Sequence, residues 1–221
     1  MTISTHVPAV NAIAPIYVLR LTRPSANKAR ILRSAIYDKA NAKDILFQDI
    51  IDNKQQDFAK GSIIIYIVGH AIPDGLFDET GKLLPEQVIA EAIKKVRDGD
   101  GKSTVIVWDV CYATSFLHID DGASNDARKQ WGANYVHVFA CQDYELTLLR
   151  DDGTTQFSEQ LVDAVDQLNR LKSNDWKWSD LEARLQEQFG TLQTPDIVWT
   201  EEAKGPPAPS AKDFGLYHFK I

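Results

Sequence analysis

Apolar residues in this chain fall into two kinds of run. The first kind is short, continuous and rich in β-branched and aromatic residues: 16–21, 63–69, 104–110, 135–141 and 197–199. Runs of that length, apolar on both faces, predict buried strands of a parallel sheet. A weaker run at 45–50 predicts a further short strand. The second kind repeats at helical spacing. Ile31, Leu32, Ala35 and Ile36 predict a helix over 26–40, with Ser25 as its N-cap. Val88, Ile89, Ala92, Ile93 and Val96 predict one over 85–97, with Pro85 in its first turn and Glu86 well placed for the helix dipole. Phe157, Leu161, Val165 and Leu168 predict a helix over 155–171. Trp178, Leu181, Leu185 and Phe189 predict another over 176–189. Pro73, Asp74-Gly75 and Thr80-Gly81 are turn signals, so residues 71–82 form a loop or small hairpin. Residues 145–150 read as irregular.

The predicted order is β-α-β-β-α-β-β-α-α-β. Strands alternating with helices predict an α/β fold: a three-layer α/β/α sandwich with a mainly parallel sheet and right-handed crossovers. A chain of 221 residues suits one such domain, placed at 15–203. Residues 1–14 read as an N-terminal arm. Residues 204–221 read as a C-terminal arm, Pro-rich at first and apolar enough at its end to dock on the domain.

Ligands of open α/β sheets bind at the carboxyl edge of the strands. Two strands carry reactive residues to that edge: one stops at His70, and the next stops at Asp109 and Cys111. A thiol becomes a nucleophile as its thiolate, and a neighbouring histidine is the usual base. Cys141 also ends a strand but has no matching histidine, and reads as structural. His137 lies inside a strand, and His6, His118 and His218 fit a site less well. No glycine-rich phosphate loop follows the first strand, which counts against a nucleotide-binding doubly wound domain.

Gly69-His70 after one strand and Asp109-x-Cys111 after the next resemble the caspase-like cysteine peptidases: caspases, metacaspases and their bacterial and fungal relatives. The resemblance spans residues 15–200, and Gly153-x-x-x-Phe157 and Gln193-Thr194-Pro195 agree with it. It implies a cysteine endopeptidase acting on polypeptides, with Cys111 as nucleophile and His70 as base. The backbone N–H groups of Cys111 and Ala71 would stabilise the oxyanion. Asp109 matches the aspartate with which metacaspases bind a basic (Arg/Lys) P1 side chain, its alternative being a cap on a neighbouring loop. Caspases proper cleave after Asp with arginines that follow the first strand, where this chain has Arg20 and Arg23. Two departures stand out. Ala71 replaces the usual glycine, and Tyr112-Ala113-Thr114 replaces the serine or histidine and glycine common after the cysteine. They support an alternative, a catalytically weak or inactive relative acting as a regulatory or interaction protein.

Charge and composition narrow the partners. A net charge of −7 argues against nucleic acid, which needs a basic face. No run approaches the length of a membrane helix, and the first residues lack signal-peptide character. Two cysteines are too few for a disulfide framework, so a reducing, cytoplasmic setting is expected, a Cys111–Cys141 bridge remaining the alternative. No cofactor is required, although Asp120, Asp121 and Asp126 are candidate Ca²⁺ ligands. Arg128-Lys129 would be a self-cleavage site for a basic-specific enzyme, or simply part of a solvated loop. Oligomeric state stays open.

Overall fold

The computed structural model describes residues 15–21, 42–52, 58, 62–78, 80–97, 104–117, 131, 135–142, 144–150, 155–172 and 176–199. Within them a six-stranded sheet forms from β1 (Ile16–Arg20), β2 (Lys43–Leu46), β3 (Ile63–Gly69), β7 (Thr104–Val110), β8 (Tyr135–Phe139) and β9 (Asp196–Trp199). Its order is β2-β1-β3-β7-β8-β9. All neighbours are parallel except β8 and β9, so an antiparallel strand closes one edge. The long continuous apolar runs take the centre: β7 is buried at every position, and β3 over its first five. Such strands need helices on both faces, and they have them.

One face packs on α1 (Phe47–Ile51) and α2 (Glu86–Arg97), through Ile65, Ile67, Ile106 and Trp108 against Ile50, Ile89 and Ile93. The other packs on α3 (Gln156–Lys172) and α4 (Trp178–Phe189), through Ile64, Tyr66, Val105 and Val107 against Leu161, Val165, Trp178 and Leu181. The architecture is the expected α/β/α sandwich. The apolar positions predicted for α3 and α4 are all buried. On α2, Ile89, Ala92 and Ile93 are buried, while Val88 is exposed and Ala90 takes its place inside.

Two elements differ from the sequence reading. The run at 45–50 is not one strand: pairing with β1 stops at Leu46, and Phe47 starts a short helix whose Phe47 and Ile50 face the core at i, i+3. Residues 71–85 carry the small hairpin allowed for 71–82 and one strand more: β4 (Ala71–Ile72) and β5 (Gly75–Phe77) pair, and β6 (Leu83–Pro85) extends them into a small antiparallel sheet. Gly75 is needed there, because a Cβ would lie 2.4 Å from the Leu84 carbonyl oxygen. The predicted helix over 26–40 and both arms lie outside the described residues. Among the described residues, no helix is long and apolar enough to cross a membrane.

Candidate active site

The register between β3 and β7 decides what meets at the sheet edge. Gly69 pairs with Val110. His70 and Cys111 therefore leave neighbouring strands at the same level, on backbones about 4.8 Å apart. His70 is exposed, and its carbonyl accepts a hydrogen bond from Phe77 N–H (2.9 Å). Cys111 is a free, half-buried thiol. Its Sγ lies 3.5 Å from Thr147 Oγ1. Among the described residues no hydrogen bond joins the His70 imidazole to this sulfur, and catalytic hydrogen bonds are often open before substrate arrives.

The small sheet beside His70 places the other expected donor. The bond from Phe77 N–H to the His70 carbonyl makes Ala71 and Leu76 a non-hydrogen-bonded pair. In such a pair the N–H points away from the partner strand. β4 is an edge strand, so the Ala71 N–H faces outward rather than into the ladder. Among the described non-glycine residues only Tyr112 has a positive φ, of 56°. Alanine at 71 is thus unstrained. The left-handed residue that would favour glycine comes directly after the cysteine instead.

The surroundings of Tyr112 were not visible in the sequence. Its N–H donates to the Glu145 carbonyl (2.9 Å) and is therefore committed to that bond. The Glu145 carboxylate accepts from Thr194 N–H and Oγ1, both at 2.7 Å. Buried Gln193 accepts from Leu148 N–H (3.2 Å) and donates to the Ala140 carbonyl (2.5 Å). The irregular stretch 144–150 is thereby fixed alongside Cys111, with Tyr144, Leu146 and Leu149 exposed on it. No spacing rule could have found these contacts, since they join residues 33 to 53 positions apart.

Asp109 is buried, at 1% exposure. Its Oδ2 accepts from the hydroxyls of Tyr66 on β3 and Thr155 at the start of α3. Its Oδ1 has no hydrogen-bond partner among the described residues. Burial pushes the carboxyl up to about 6, against the lowering pull of the two hydroxyls. Arg20 is nearly buried, and its Nε lies 3.1 Å from Asp44 Oδ1 on β2, so its charge is already engaged. Glu86 is buried with Oε1 unpartnered, and burial raises it to about 7, outweighing any help from the helix dipole.

The remaining candidates separate cleanly. Cys141 is fully buried and free, and its Sγ donates to the carbonyls of Val110 (3.3 Å) and Glu145 (3.4 Å). Burial pushes this thiol up to about 12. His137 is fully buried among Trp108, Trp131, Tyr135 and Phe139, and its Nδ1 accepts from Trp108 Nε1–H (3.1 Å). Burial lowers it to about 3, so it is a neutral core residue. Arg23, His6, His118, His218, Asp120, Asp121, Asp126 and Arg128-Lys129 lie outside the described residues. Within those residues, no three His, Cys, Asp or Glu side chains cluster as metal ligands.

No protein-family profile matches the sequence, and no curated protein matches it. Among solved structures, the chain is similar to the crystal structure of caspase-1 from Spodoptera frugiperda. The similarity has a TM-score of 0.57 and covers 86% of this chain and 87% of that one, at 10% sequence identity. The fold of this chain is caspase-like.

Proposed function

We propose that this protein is a cysteine endopeptidase in which Cys111 attacks the scissile carbonyl and His70 takes the thiol proton and returns it to the leaving amine. One observation carries the reading. A caspase-like sheet delivers a free, accessible thiol and an exposed imidazole to its carboxyl edge on adjacent strands, at one level. The outward Ala71 N–H supports an oxyanion site shared with the Cys111 N–H. A peptide would lie along the exposed strip of Tyr144, Leu146 and Leu149. Two free cysteines fit a reducing compartment such as the cytoplasm.

For substrate choice we propose a basic P1 residue. The unpartnered Asp109 Oδ1 supports this, because an arriving guanidinium or ammonium would satisfy an otherwise orphaned buried charge. The engagement of Arg20 with Asp44 counts against recognition of an acidic P1 by that residue. The test pairs fluorogenic peptides with Arg or Lys at P1 against peptides with Asp. Cleavage after Arg or Lys, abolished in Cys111→Ala, is the expected result. Asp109→Asn should lower kcat/KM on the Arg peptide by about 30-fold or more, as losing one charge of a buried pair does. Cleavage after Asp would keep the nucleophile and remove Asp109 from the pocket. A second reading, an inactive relative, rests on the open His70–Cys111 geometry and the left-handed Tyr112. It gains if wild type and Cys111→Ala are equally silent on every peptide.

A further inference from the structure

Residues 144–150 form neither helix nor strand, yet they are fastened on both sides of the candidate nucleophile. On one side the Glu145 carboxylate collects three donors: Thr194 N–H and Oγ1 at 2.7 Å, and Gln142 N–H at 3.2 Å. Thr194 lies two residues before β9 (Asp196–Trp199), which is paired with β8, so the anchor is tied to the sheet edge. On the other side the Glu145 carbonyl takes the Tyr112 N–H at 2.9 Å, holding a residue whose φ of 56° puts it in the left-handed region. Two residues further on, the Thr147 hydroxyl sits 3.5 Å from Cys111 Sγ.

We infer that Glu145 is the positioning residue of the nucleophile turn. Anchored on Thr194, it presses its own carbonyl against Tyr112 and carries Thr147 to the Cys111 sulfur. The inference rests on Cys111 being the nucleophile of the proposed peptidase. Glu145 touches neither the sulfur nor a substrate; it acts through the backbone of Tyr112 and through Thr147. A carboxylate suits this place because all three of its partners are donors. Alanine there would leave the Thr194 and Gln142 N–H groups without their acceptor. Without the clamp, Tyr112 is free to leave the left-handed region, which a tyrosine occupies only when its surroundings hold it there. Cys111, its immediate neighbour, then shifts relative to His70 and the oxyanion donors.

The test compares full-length wild type, Glu145→Ala, Thr194→Val and Thr194→Ser. Two quantities are read: kcat and KM on a peptide that wild type cleaves, and the rate at which iodoacetamide alkylates Cys111, located by peptide mass. Glu145→Ala should lower kcat by about 100-fold, as ångström-scale misplacement of a reacting group does, with KM within about two-fold. Thr194→Val keeps its backbone N–H but loses the hydroxyl, and should give a smaller loss of the same kind. Thr194→Ser should restore wild-type values. Alkylation of Cys111 should slow in Glu145→Ala and Thr194→Val, because the Thr147 hydroxyl no longer stands beside the sulfur. If Glu145→Ala does not fold, the two Thr194 variants decide. Unchanged kcat and alkylation in folded variants, or a rise in KM alone, would overturn the inference. If wild type cleaves nothing yet alkylation still responds to Glu145 and Thr194, the positioning role stands and the peptidase reading fails.

Discussion

Cys111 and Cys141 end neighbouring parallel strands, one residue out of register, and their surroundings could hardly differ more. Cys141 follows β8 into a fully buried site, where its thiol donates to two carbonyls and is pushed up to about 12. Cys111 follows β7 to a half-buried position beside a threonine hydroxyl, level with the exposed histidine that follows β3. A strand end at the carboxyl edge is therefore not enough to leave a thiol accessible. What differs is the neighbouring strand. β7 lies against β3, which ends in His70, whereas Cys141 lies under the turn that carries Cys111. One of the carbonyls it donates to, that of Glu145, also receives the Tyr112 N–H.

The largest expected effect separates the two thiols by readout. Cys111→Ala should abolish peptide cleavage and shift stability by less than about 0.5 kcal/mol, as partly exposed sites do. Cys141→Ala should cost about 1–2 kcal/mol, from a small cavity and two carbonyls deprived of a donor, and leave part of the activity. Urea melts and peptide turnover on the two variants check this. Loss of cleavage in both, with full stability in both, would erase the distinction.

Much of this comparison could be read from the sequence, and the reason is local. Continuous β-branched runs flanked by polar residues locate central strands, and the residues that terminate them locate the edge chemistry. So the placement of His70 and Cys111 at adjacent strand ends could be read along the chain, and the predicted apolar stripes of α3 and α4 all point inward. What escaped the sequence depends on tertiary context. Phe47 and Ile50 look alike as strand or helix positions until pairing stops at Leu46. Val88 and Ala90 both lie near the edge of the apolar arc of α2, and packing chose the smaller. The Glu145–Thr194 clamp and the buried hydroxyls on Asp109 join residues more than forty positions apart. No pattern along the chain marks them.

An intermediate effect concerns pH and sets stability against activity at one residue. Asp109, Glu86 and Glu182 are all raised, to about 6, 7 and 7, chiefly by burial, with Asp196 adding to the shift of Glu182. A carboxyl raised in the folded state binds protons there before it does in the unfolded chain, so stability grows as pH falls from 8 through these values. For Asp109 alone the span is on the order of 3 kcal/mol. His137, lowered to about 3, works in the opposite sense. The stability it contributes is present above its unfolded value and is lost as pH falls from about 6.5 toward 3. The thermal midpoint should therefore rise from pH 8 to 6, keep rising more slowly below that, and turn downward near pH 4, where the carboxyls protonate in the unfolded chain as well. Over the interval around 6, cleavage after Arg should fall, because Asp109 becomes neutral. Asp109→Asn should flatten both trends. A midpoint that drops steadily from pH 8 to 6 would contradict the buried, raised carboxyls.

The smallest effect asks where this turn wants a glycine. The resemblance would put one at Ala71, whereas the backbone is left-handed at Tyr112. Left-handed backbone costs a residue with a Cβ about 1–2 kcal/mol relative to glycine. Tyr112→Gly removes that cost but also gives up the half-buried ring, so the net gain should be about 1 kcal/mol or less. Ala71→Gly relieves nothing, because Ala71 is extended, and it adds chain entropy to the unfolded state, a loss of about 0.5–1 kcal/mol. The two substitutions should therefore move the melting temperature in opposite directions by a few degrees. In activity they should differ as well. Ala71→Gly keeps the outward N–H and should leave kcat near wild type. Tyr112→Gly loosens the residue next to the nucleophile and should lower kcat, even as the fold becomes more stable. Stabilisation by Ala71→Gly together with destabilisation by Tyr112→Gly would mean that the strain sits on the histidine side of the site rather than on the cysteine side.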